Sequence, residues 1–202
     1  MPRKTKEEAM KTRQSILDSA LTVFYEKGYR NATMSQIAGL AGCTRGAVYW
    51  HFKDKAEVFI ALAEDMEGKA NRAAEKVGND IWGVDQLIGW VEKYLQFMEG
   101  DEQYQMFYEM VFFRTEWSEE IRPVLDAYQK MSVEMERFIV GAIGCGMGEE
   151  VARDLGVERF GMSVAALMEG MLAKWLLDKN RFLLSESVVA MLKFYLGCYG
   201  SK

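Results

Sequence analysis

Between Thr44 and Lys55 the chain reads TRGAVYWHFKDK, which gathers donors of several chemical kinds into one short stretch, among them His51, the only histidine. These are groups suited to holding an anion. Arg45 presents a planar fork of donors that matches the two acceptors on a guanine edge, and Gly46, lacking a side chain, lets a backbone approach closely. The Thr44 and Tyr49 hydroxyls, His51 and Lys55 are phosphate donors by type, and free amides at helix starts near Thr33 and Asp54 would add anion-binding ends. Each residue alone suits an ordinary surface or core position. Together they suit a polyanion.

Such donors need short, rigid elements to aim them. Apolar residues recur at helical spacing nearly everywhere, prolines occur only at Pro2 and Pro123, and no stretch alternates for long as a strand does, so an all-α chain is expected. A first helix is expected over 6–27, with Ile16, Leu17, Ala20, Val23 and Phe24 on one face and Gly28 as its left-handed stop. Thr33-Met-Ser-Gln36 is a capping box opening a second helix to about Leu40. Ala41-Gly-Cys43 then makes a tight turn and Thr44 caps a third short helix. Asp54-Lys-Ala-Glu57 is a further capping box, opening a long fourth helix toward Lys76. Two short helices joined by a glycine-containing turn form a helix-turn-helix, whose second helix enters the DNA major groove N-terminus first. Val48 and Phe52, four apart, would share the face that packs on Ile37, Ala38 and Phe24, leaving Arg45, Gly46 and Tyr49 on the other side.

The same residues carry a family resemblance over about residues 10–58. Phe24-x-x-Lys-Gly-Tyr29, Asn31-Ala-Thr33, Ile37-Ala38, Ala41-Gly-Cys43 and Gly46-x-x-Tyr49-x-His51-Phe52-Lys53-x-Lys55 resemble the DNA-binding domain of tetracycline-repressor (TetR) family transcription regulators. The wording TRGAVYWHFKDK is most similar to the branch that represses multidrug efflux genes. The resemblance implies DNA contacts at Thr33, Ser35, Thr44, Arg45, Gly46, Tyr49, Trp50, His51 and Lys55, Trp50 being a residue that can equally pack between helices. It also implies two domains, residues 1–54 for DNA and 55–202 for ligand binding and dimerisation.

Charge follows the same division. Residues 1–55 hold ten Lys and Arg against five acids, a balance of +5, which leaves 15 against 25, or −10, for the rest of a chain whose net charge is −5. A basic end in an acidic protein attracts a polyanion locally. Beyond residue 80, helices are expected near 84–99, 103–114, 118–143, 157–179 and 186–198. Residues 82–138 are rich in aromatics and methionines, materials of an adaptable apolar pocket as well as of an ordinary core. Candidate ligand contacts are Trp90, Tyr94, Phe97, Phe107, Met110 and Val111, with Met131, Met135 and Phe138. Polar partners for a cationic or hydroxylated aromatic would be Glu67 and Asn71 on the fourth helix and Arg114, which with Glu109 flanks the run MFYEMVFFR. The last two helices carry more apolar residues than one face needs. Phe160, Val164, Leu167, Met171 and Trp175 on one, with Val188, Met191, Leu192 and Tyr195 on the other, are candidates for a four-helix interface across a two-fold axis.

Other chemistries find little support. Gly144-Cys-Gly-Met-Gly148 follows no strand and precedes no Lys-Ser/Thr, so it reads as a helix break and not a phosphate loop. One histidine, committed to a DNA-facing helix, supplies neither a Ser-His-Asp triad nor a histidine zinc site, and no cofactor or metal is expected. Cys43, Cys145 and Cys198 are odd in number and widely spaced, as free thiols of a reducing compartment are. No stretch has the length and apolarity of a membrane span, the nearest being interrupted by Glu169 and Lys174, and a cytoplasmic protein is expected. The expected partners are thus an operator duplex, a small apolar or aromatic effector and a second copy of the chain. The alternative is a nucleoid-associated or partner-recruiting DNA-binding protein of the same fold, with no small-molecule ligand.

Overall fold

Hydrogen bonds between residues a few positions apart close the turns within residues 33–57. The computed structural model describes residues 6–74, 83–115, 119–145 and 156–199, and every regular element among them is helical. In order these are α1 (Lys6–Asn31), α2 (Met34–Leu40), α3 (Arg45–His51), α4 (Lys55–Ala74), α5 (Val84–Gly100) and α6 (Glu102–Glu109). A π-helical turn (Met110–Arg114) and a 3-10 turn (Glu119–Ile121) precede α7 (Arg122–Cys145), α8 (Val157–Leu177) and α9 (Leu184–Tyr199). Trp82, Trp117, residues 146–148 and the side chain of Phe160 lie outside the described residues.

The chain forms two compact units. One comprises residues 1–67 and 106–127, the other 68–105 and 128–202. In the first, the 3.6-residue period of α1 buries Ile16, Leu17, Ala20, Leu21, Val23 and Phe24. Gly28 does break the helix with a positive φ, but at φ 74 and ψ 156 it lies outside the left-handed helical region expected of a simple C-terminal stop, in a conformation essentially confined to glycine. The chain is helical again to Asn31, and Tyr29 turns inward. There its ring meets Phe24 and Phe59, both at 5.6 Å between centroids, and Phe59 in turn meets Phe107 at 5.8 Å.

The two short helices follow their local signals closely. Thr33 Oγ1 accepts from the Gln36 amide at 3.2 Å while Gln36 Oε1 accepts from the Thr33 amide at 2.9 Å, a complete capping box. At the other end of α2, the Cys43 amide donates to the Ala38 carbonyl (3.0 Å) and the Gly42 amide to Gly39 (3.3 Å), with Gly42 at φ 63. That paired pattern is a Schellman motif, and only a residue tolerant of positive φ closes it cheaply. Thr44 Oγ1 accepts from the Ala47 amide to start α3, whose Val48, like the following Phe52, is fully buried. The Asp54 carboxylate accepts from the Glu57 amide as a cap should, but Glu57 Oε2 accepts from Lys53, one residue earlier than the expected box.

In the second unit, α5 packs along α9 and buries Leu87, Ile88, Trp90, Val91, Tyr94, Leu95 and Met98. Glu99 at the end of α5 accepts from the Leu184 and Ser185 amides and from Ser185 Oγ, at 2.6, 3.3 and 2.6 Å, so a side chain from a distant helix caps α9. At Gly161 in α8 a methyl group would overlap Val140 of α7. The helices expected near 103–114 and 118–143 resolve differently. The first is α6 followed by the π turn, and the second begins with the 3-10 turn before α7 runs to Cys145.

Candidate nucleic-acid interface

The caps and the Schellman turn set α3 beside α2, with Ile37, Ala38, Val48 and Phe52 inside. What remains outside is the polar set. Thr33, Ser35, Thr44, Arg45, Gly46, Tyr49 and Trp50 are all exposed, Trp50 most of all at 74%. Trp50 therefore does not pack between helices. Its ring stands edge-on to that of the half-buried His51, 4.6 Å between centroids. Arg45 Nη2 donates to the Tyr49 hydroxyl at 3.3 Å and the guanidinium lies 5.3 Å from the ring centroid, so the two form one exposed donor group at the start of α3. A methyl at Gly46 would find only Thr44 Oγ1, at 3.9 Å. Packing within the protein gives no reason for glycine there, whereas a partner's close approach does.

Lys55 is partly engaged. Its Nζ donates to the Arg30 carbonyl at 3.2 Å and sits 4.4 Å above the Tyr29 ring, tying the start of α4 to the end of α1. An ammonium carries three donors, so a phosphate contact is compatible with this tether. Arg13 also meets this unit, its guanidinium 5.3 Å from the Phe52 centroid. It stands on α1, three helical turns before Phe24, and no local pattern distinguishes it from the other basic residues of the first helix.

The residues named for a ligand divide between the two units. In the second, Trp90 stacks on Tyr94 and meets Phe138, each at 4.7 Å between centroids, and Tyr94 shares a buried 3.1 Å hydrogen bond with Tyr104. Phe97 stands edge-on to Tyr104, while Asn71, Met131 and Met135 are half-buried. In the first, Phe107, Met110 and Val111 are buried and Glu67 half-buried. Arg114 belongs to the first unit as well. It is exposed and held on Tyr25 of α1, its Nη1 donating to the Tyr25 carbonyl and its Nη2 to the hydroxyl, at 3.2 and 3.3 Å.

The candidate interface residues of the last two helices also separate. Val164, Trp175, Val188 and Leu192 are buried within the protomer itself, and Leu167 and Met171 are half-buried. Outside are Met191 and Tyr195, joined by Met162, Leu177 and Phe194, which spacing alone did not single out. Among the described residues no helix is long and apolar enough to cross a membrane.

Residues 16–62 match the family model described as "Bacterial regulatory proteins, tetR family", and residues 86–200 match "MAATS-type transcriptional repressor, C-terminal region". The chain is 31% identical to the HTH-type transcriptional regulator AcrR of Shigella flexneri, over 98% of its own length and 95% of that protein's. Among solved structures it resembles MexZ, a repressor responsible for antibiotic resistance in Pseudomonas aeruginosa, with a TM-score of 0.73, 26% identity and coverage of 94% and 95% of the two chains. It also resembles SmeT in complex with triclosan, with a TM-score of 0.75, 26% identity and coverage of 91% and 90%. An exposed helix-turn-helix, matched family models over both parts and full-length relatives agree: the chain belongs to the tetR family of bacterial regulatory proteins, as a transcriptional repressor related to the efflux regulators and not an enzyme.

Proposed function

We propose that the protein is a homodimeric repressor that leaves a near-palindromic operator when a small apolar or aromatic compound binds, and that an efflux gene is among its targets. Residues 1–54 act on DNA in the cytoplasm; residues 55–202 bind the effector and the second copy. The observation that carries the reading is Gly46, open on the protein side and flanked by the exposed Arg45 and Tyr49 at the start of α3. In this reading Arg45 reads a base edge, while Thr33, Ser35, Thr44, Tyr49, Trp50, His51 and Lys55 set the register on the backbone. The two-fold axis runs through the apolar residues that the protomer leaves exposed on α8 and α9, foremost Leu177 and Phe194 at 71% and 72% exposure. Half-sites then fall on successive major grooves about one helical turn apart.

Effector binding finds support in the aromatic content of the second unit and in the triclosan complex of the similar SmeT. Linkage requires the effector to bind the DNA-released state more tightly, and DNA to weaken the effector by the same factor. The deciding experiment compares the duplex upstream of the protein's own gene with a scrambled duplex across a salt series. A preference of about 10³ or more identifies an operator. Equal affinities that track salt alone would replace this reading with the nucleoid-associated one. A thermal-shift series with triclosan then tests the effector: stabilisation supports release by aromatics, and its absence across a wider set of small aromatics supports partner recruitment.

A further inference from the structure

Glu109 and Arg114 are five residues apart, and in an α-helix residues so spaced lie about 140° apart around the axis. Both nonetheless reach one side chain on α1. The Tyr25 hydroxyl donates to Glu109 Oε2 at 2.8 Å and accepts from Arg114 Nη2 at 3.3 Å. Arg114 Nη1 donates to the Tyr25 carbonyl at 3.2 Å, and its guanidinium carbon lies 4.1 Å from the ring centroid. The π turn makes this possible, because i to i+5 bonding stacks residues five apart on the same side of the helix. Its register is held by burial of Met110 and Val111 and by Thr115, whose Oγ1 donates to the Met110 carbonyl at 2.8 Å. The grip falls just before the break at Gly28, whose position faces the Arg114 carbonyl.

We propose that the π turn is a register-dependent latch: it brings Glu109 and Arg114 together on Tyr25 to hold the end of α1 in place, and a return to α-helical register releases it. The π turn closes α6, and the chain is extended at Thr115. Here the extra residue serves a contact that no α-helix of this sequence can make. Tyr25, Glu109 and Arg114 are positioning residues; none of them belongs to the set that touches DNA. The consequence for operator affinity rests on the regulator reading above, whereas the latch itself is testable without DNA.

The test uses the full chain and two measurements, amide hydrogen exchange over residues 22–31 and affinity for the duplex upstream of the gene. Arg114→Ala and Tyr25→Phe are expected to speed exchange in 22–31 about tenfold, the effect of losing a charge-assisted hydrogen bond, with a similar fall in affinity. Glu109→Gln keeps an acceptor and should stay near wild type, while Glu109→Leu should not. Thr115→Val tests the register itself, since the Thr115 hydroxyl bonds the Met110 carbonyl and not Tyr25, and yet its loss should speed exchange there. Unchanged exchange in 22–31 for Arg114→Ala would overturn the latch, and unchanged exchange for Thr115→Val would overturn its dependence on the π register. If the wild type shows no preference for its own operator, the regulator reading fails and the exchange data still decide the latch.

Discussion

Around α2 and α3 the reason for each conformation is a neighbour within five residues, whereas in the second unit the deciding neighbours are mostly distant in sequence. Thr33 with Gln36, Cys43 with Ala38 and Thr44 with Ala47 build the helix-turn-helix from within. Glu99 on Leu184 and Ser185, Trp90 on Phe138 and Ser132 with Glu169 build the bundle from across. The first arrangement leaves Thr33, Ser35, Thr44, Arg45, Tyr49 and Trp50 exposed toward a partner. The second commits Trp90, Tyr94, Trp175 and Leu192 to packing and leaves Leu177 and Phe194 outside, a division decided by which helices meet.

This contrast implies that substitutions in the two regions should separate stability from binding. The largest effect is expected for Trp90→Ala, which empties a buried site stacked on Tyr94 and should lower stability by about 3–5 kcal/mol in chemical denaturation. A loss below 1 kcal/mol would mean that the aromatic set is loose enough to be mostly pocket lining. Arg45→Ala should cost about 1–3 kcal/mol in operator binding and relax discrimination at one base pair, with the melting temperature unmoved. Untouched specificity would remove Arg45 from the groove. Gly46→Ala should be neutral or slightly stabilising, by up to about 1 kcal/mol from helix propensity, while operator affinity falls. Parallel changes in both would show that packing, not DNA, requires the glycine. Thr33→Ala should cost about 1 kcal/mol of stability by loss of the cap, together with any phosphate contact made by the hydroxyl.

The smallest effect concerns Tyr25. Its hydroxyl is held above the ordinary value of 10.0, first by the hydrogen bond to the Glu109 carboxylate, then by burial and the Glu109 charge, with Arg114 opposing. A raised folded pKa favours the neutral phenol, so this contribution to stability is complete below about pH 10 and is lost as pH rises through the raised value. The difference in tyrosinate absorbance between wild type and Tyr25→Phe should therefore develop later than that of a free phenol. A difference developing at the ordinary value would detach the hydroxyl from Glu109.

Several features were legible because their causes are short-ranged. Capping boxes and the glycine turn announce themselves within four to six residues, and the ordered set from Phe24 to Lys55 carries the family resemblance that the matched models confirm. The π turn was not legible: MVFFR has the apolar content of an ordinary helix, and only the buried positions of Met110 and Val111, with Tyr25 opposite, make the wider turn worth its poorer packing. Nor was the sorting of α8 and α9, since Val164 and Met162, or Leu192 and Phe194, are alike in apolarity and differ only in what covers them.

By itself the amino-acid sequence determined an all-helical chain, the helix-turn-helix with its outward donors, and the basic and acidic division, because periodicity, caps and charge act over a few residues. Only the tertiary structure decided that Lys55 is tethered to α1, that Arg114 holds Tyr25, and that Trp175 and Leu192 belong to the protomer core while Phe194 does not. The reason is that burial and long-range hydrogen bonds are properties of two segments at once, and no single segment's pattern says which other one it will meet.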